Sequence, residues 1–105
     1  MKWQSTPAFD ADVTRLRPDD LELFRKVVRE QFVPAADRIA DDPAARWPAS
    51  LRVKGLQGAA GIWEMTWSFS GPDGRATFEW TQIDGERAIR WRRVGGHGIF
   101  DDPAR

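Results

Sequence analysis

The chain has 105 residues, 41% of them hydrophobic and 30% charged, which fits one folded domain with a modest core and excludes a disordered chain. Lys and Arg total 16 and Asp and Glu total 16, so no global field draws the chain to nucleic acid. With no cysteine and a single histidine, a disulfide framework and a thiolate metal site are excluded, and neither a metal nor another cofactor is expected. The sequence holds no apolar run long enough to span a membrane and no secretory leader, so the expected location is the cytoplasm.

In chain order, Lys2-Trp3-Gln4-Ser5-Thr6 is expected to form a short strand that Pro7 ends. Ala8 to Leu16 carries Phe9, Val13 and Leu16 at helical spacing. Pro18 suits the first position of a longer helix, and Asp19 and Asp20 suit its first turn. Leu21, Phe24, Val28, Phe32, Ala35 and Ile39 form its apolar stripe, read as core-facing. Pro34 lies inside that stripe, where its missing N–H and its ring predict a kink or a split. Asp41-Asp42-Pro43 stops the helix. Residues 44–61 read as irregular, punctuated by Pro48, Gly55, Gly58 and Gly61, with Leu51 to Lys54 as a short extended piece.

From Ile62 to Phe100 the pattern changes to period two. Ser70-Gly71-Pro72-Asp73-Gly74 and Asp84-Gly85 are hairpin signals, because Gly supplies positive φ and Asp tolerates it. Between the turns, Trp63, Met65, Trp67 and Phe69 share one face of a first strand. Ala76, Phe78 and Trp80 do so on a second, and Ile89 and Trp91 on a third. The tryptophans in this set read as core. The other face shows Glu64, Thr66, Arg75, Thr77, Glu79, Arg90 and Arg92, a polar surface with charges of both signs. The expected architecture is therefore α+β: a short N-terminal strand, a helical hairpin, then an antiparallel three-strand meander, with the helices packed on one face of the sheet. Residues 1–105 read as a single domain.

Several residues on the polar face have the chemistry of a site. Arg87, Arg90, Arg92 and Arg93 crowd one strand, and arginine favours planar, bidentate phosphate contacts. Ile89 and Trp91 belong to the core, so Arg90 and Arg92 face outward together and Arg93 lies on the opposite side. Arg75 directly follows a hairpin turn; it serves either as an anion-binding cation or as a cross-strand partner of Glu64 or Glu79. His97 sits among three glycines, in Gly95-Gly96-His97-Gly98, as a solvated loop residue or as a proton-transfer group.

Four stretches carry a resemblance. They are Leu51-Arg52-Val53-Lys54-Gly55-Leu56-Gln57-Gly58, Ile62-Trp63-Glu64-Met65, Gly74-Arg75-Ala76-Thr77-Phe78 and Arg93-Val94-Gly95-Gly96-His97-Gly98-Ile99-Phe100. In this order, after a strand and two helices, the chain resembles the RelE/ParE toxin superfamily of bacterial type II toxin–antitoxin systems. The resemblance implies an intracellular toxin silenced by a cognate antitoxin. Many members cleave mRNA at the ribosome without a metal. Others poison DNA gyrase, and members with no catalytic step act by binding protein; a small interaction domain with no toxic role is the reading from outside the family.

Cleavage implies a residue set. The ribose 2′-OH loses a proton, the 5′-oxygen gains one, and the phosphate needs a cation as its charge builds. The resemblance puts Arg75 in the role of that cation and His97 in the acid/base role, for which an ordinary imidazole pKa of about 6.5 is suited. Glu64 is the candidate base. Lys54, Arg90 and Arg92 are candidate phosphate contacts, and Phe100 sits where family members stack a ring on a base.

Overall fold

A computed structural model describes residues 1–68 and 73–96. The expected turn at Ser70–Gly74 falls partly outside them, and Phe69, His97 and Phe100 lie outside them entirely. Strand β1 (Trp3–Ser5) leads into helices α1 (Pro7–Arg15) and α2 (Pro18–Val27). A π-helical segment, Val28–Phe32, joins α2 to α3 (Val33–Asp41). A 3-10 turn (Ala49–Leu51) precedes strands β2 (Lys54–Gly55), β3 (Trp63–Ser68), β4 (Asp73–Ile83) and β5 (Glu86–Gly95).

The sheet has five strands in the order β1-β5-β4-β3-β2. The expected meander β3-β4-β5 forms its antiparallel centre. Trp3–Ser5 then pairs in parallel with Ile89–Trp91 at one edge, a crossover that needs the intervening helices. Lys54 and Gly55 add a two-residue antiparallel edge opposite Glu64 and Trp63. The extended piece expected at Leu51–Lys54 is thus displaced: Leu51 ends the 3-10 turn and Arg52 turns the chain with a φ of 46°.

Pro34 does not split the long helix. It has no N–H to give to the Glu30 carbonyl, and in a regular helix its ring would strike that carbonyl. The chain widens instead: the Val33 N–H bonds to the Val28 carbonyl, five residues back. The extra residue also shifts the buried stripe. Val27 is buried and Val28 only half-buried, and Phe32, Ala35 and Ala36 follow.

Helix α1 starts cleanly. Thr6 is its N-cap, its Oγ1 accepting from the Phe9 N–H at 3.1 Å, with Pro7 at the first turn. The helices cover one face of the sheet. Phe9, Phe24 and Phe32 meet Trp91 with ring centroids 6.0, 5.4 and 4.7 Å away. Trp67 and Phe78 join the same cluster, so Trp67 and Trp91 are core as expected. Trp63 is not: opposite Gly55 of the two-residue edge strand β2, it is 36% exposed.

Candidate functional site

The face of the sheet opposite the helices carries the polar residues, and register sets their order. Lys54 stands opposite Glu64 and Glu64 opposite Thr77. Thr66 lies opposite Arg75, and Glu79 opposite Arg90. One row therefore crosses β2, β3 and β4 as cation, carboxylate and hydroxyl, with the arginines of β4 and β5 beside it.

This face is less open than its sequence pattern implies. Glu64 and Thr66 are each 3% exposed and Thr77 is fully buried. Glu64 is partnered by Lys54, whose Nζ lies 3.3 Å from its Oε1. The cationic end is built on Glu79. Arg90 Nη1 and Arg92 Nη1 both donate to the same oxygen, Glu79 Oε1, at 2.9 and 3.0 Å. One carboxylate oxygen thus holds two guanidiniums in a fixed geometry by charge-assisted bonds.

Strand β5 carries a β-bulge beside this cluster. Thr77 pairs with Arg93 and Phe78 with Trp91, so Arg92 is the extra residue. Trp91 and Val94 both reach the core although three residues apart, while Arg90 and Arg92 share the outer face. Arg93 turns to α1, where its Nε donates to Asp12 Oδ2 at 2.6 Å and its Nη2 to Oδ1 at 3.1 Å. Sequence reasoning paired Arg90 with Arg92 but missed Asp12, which is 6% exposed. The available signal was the doublet Arg92-Arg93 between core residues, one polar position too many for strict alternation.

Arg75, Glu64, Lys54, Arg90 and Arg92 are thus on one side of the sheet. His97 and Phe100 lie outside the described residues, and with them the expected approach of His97 to Arg75. Among the described residues no group of three or more His, Cys, Asp or Glu side chains could hold a metal ion, and no helix is long and apolar enough to cross a membrane. On the helical side, a groove of about 600 Å³ is lined by Met1, Trp3, Phe9, Phe24, Phe32 and other apolar residues, with Arg25 and Arg29 also in its wall. Trp3 is 61% exposed there.

Strand, helical hairpin and mixed sheet with this order define an α+β fold of the RelE/ParE toxin type. The structural match is to a YoeB/ParE toxin from Agrobacterium tumefaciens, with a TM-score of 0.55 and 16% identity, covering 92% of this chain and 99% of that one. That likeness establishes the fold. No protein-family model and no curated protein matches the sequence.

Proposed function

We propose that the chain is the toxin of a type II toxin–antitoxin pair and acts in the cytoplasm as a metal-independent endoribonuclease on mRNA at the ribosome. The observation that carries this reading is the gathering of Arg75, Arg90 and Arg92 on one sheet face, with the Glu64 carboxylate one strand from Arg75. In the reaction the ribose 2′-oxygen bonds to phosphorus as the bond to the 5′-oxygen breaks. Arg75 stabilises the phosphate, Arg90 and Arg92 hold the neighbouring backbone, and Glu64, held by Lys54, is the proton acceptor. His97 is the acid that protonates the leaving oxygen, and Phe100 stacks on a base. The cognate antitoxin covers the chain in storage; the apolar groove with its exposed Trp3 supports a protein partner.

One observation favours a second reading, a toxin that binds a protein target such as DNA gyrase. Lys54 pairs with Glu64, and Arg90 and Arg92 with Glu79, so much of the face's cationic charge is neutralised internally. Induced expression of the chain alone separates the two. The first reading expects growth arrest with cleaved mRNA and falling protein synthesis, relieved by Arg75→Ala and by His97→Ala in folded protein. Arrest with intact mRNA and a DNA-damage response would establish the second.

A further inference from the structure

We propose that Asp12 is a positioning residue of the cationic face: through Arg93 and the Val94 amide it holds the bulge whose extra residue, Arg92, is bound with Arg90 to Glu79. The inference rests on the reading of that face as an RNA-binding surface and goes beyond it by assigning a residue on the far side of the sheet edge.

The geometry is a relay along the outer edge of β5. Strand β1 pairs with β5 only as far as Trp91. Beyond that point the start of α1 replaces the missing strand. The Thr6 N–H donates to the Trp91 carbonyl at 3.0 Å, and Thr6 Oγ1 donates to the Arg92 carbonyl at 2.8 Å. Asp12, one helical turn and a half further on, takes the Arg93 guanidinium and, through Oδ2, the Val94 N–H at 3.1 Å. Three acceptor contacts on one buried carboxylate are the arrangement that fixes a backbone, since each loss leaves a polar group stranded out of water.

The fixed backbone is the bulge. Without it, alternation would carry Arg93 toward the core and Val94 outward, and Arg92, still on the face of Arg90, would pair with Thr77 instead of standing as the extra residue whose guanidinium reaches Glu79. Asp12 itself touches neither Glu79 nor Arg92 among its hydrogen bonds, so its effect on the face is transmitted through β5. Its other neighbour, Arg15, is 74% exposed at 3.7 Å and serves as a control that leaves the bulge alone.

The test is a double-mutant cycle on the full chain, with a short fluorescein-labelled single-stranded RNA as probe. Asp12→Asn is expected to weaken binding roughly three- to tenfold, the size of losing one positioned cation, and Arg92→Ala to do the same. The two together should lose no more than Arg92→Ala alone, because Asp12 acts through Arg92. Arg15→Ala should change nothing. A second readout, the NMR signal of the Arg92 Nε–H, should move in Asp12→Asn and stay in Arg15→Ala. Additive losses, or an unmoved Arg92 signal, would overturn the proposal. If the wild-type chain binds no RNA, the functional reading fails by itself, and the Arg92 signal alone then decides whether Asp12 positions this face. Should Asp12→Asn not fold, Arg93→Lys replaces it in the same cycle with the same expectations, because it keeps the charge and loses the fork.

Discussion

Lys54 Nζ lies 3.3 Å from Glu64 Oε1, and only the lysine is in water: its side chain is 72% exposed and the glutamate's 4%. The pair joins the two-residue edge strand to the sheet, and its two ends behave differently on mutation. Lys54→Ala leaves a buried carboxylate without its cation and is expected to cost about 1–2 kcal/mol. That is less than the roughly 3–5 kcal/mol for breaking a fully buried pair, because most of the lysine is already solvated. Adding Glu64→Gln should recover most of the loss. Urea denaturation of the two single variants and the double variant checks this, and strictly additive costs would contradict it.

Glu79 restrains the two arginines it binds. Glu79→Gln removes one negative charge from beside Arg90 and Arg92 while its amide oxygen still accepts from both, so the arginines keep their place with less of their charge neutralised. On the proposed function, affinity for single-stranded RNA should rise, and the salt dependence of log K should steepen by about 0.7–1.4, one or two more released counterions. Fluorescence anisotropy across a salt series measures both. Unchanged affinity with an unchanged slope would remove Arg90 and Arg92 from the RNA surface.

The parts of the fold legible in the sequence were those with a strong local period or a strong turn signal. The period-two runs around Trp67, Phe78 and Trp91 located the central strands, and Asp84-Gly85 located a hairpin that indeed uses φ of 54° and 80°. What was not legible depended on distant partners. Lys54–Gly55 is a strand only because Glu64 and Trp63 pair with it, and two residues carry no period of their own. The π segment follows from Pro34 only once the helix is known to continue, since a break satisfies the same rule. Of the candidate site, Arg90 and Arg92 could be paired by alternation alone. Their anchoring by Asp12 could not, because 81 residues separate Asp12 from Arg93.

Phe32 is the residue on which the helices and the sheet converge. It ends the π segment, is 1% exposed, and stacks on Trp47 at 4.9 Å while meeting Phe78 and Trp91 at 5.0 and 4.7 Å. Phe32→Ala leaves a void that three rings cannot close together, and it is expected to cost about 3–5 kcal/mol. Phe32→Leu should cost well under half of that. Thermal unfolding followed by tryptophan fluorescence distinguishes these from a surface-like cost near zero, which would deny the convergence.

Gly85 tests whether the β4–β5 hairpin is set by backbone conformation or by crowding. Its φ is +80°, and a Cβ placed there meets nothing within 4 Å. Any cost of Gly85→Ala is therefore conformational, about 1–2 kcal/mol for an L-residue held in the left-handed region. In a domain of this size that lowers the melting temperature by about 4–8 °C per kcal/mol. Gly85→Asn has a larger side chain but tolerates this conformation better, so it should cost less than the alanine despite its bulk. If the loss instead followed side-chain size, with asparagine worse than alanine, crowding would be the cause. The order alanine worse than asparagine makes φ the cause, and with it the register that sets Arg90 opposite Glu79 five residues along β5.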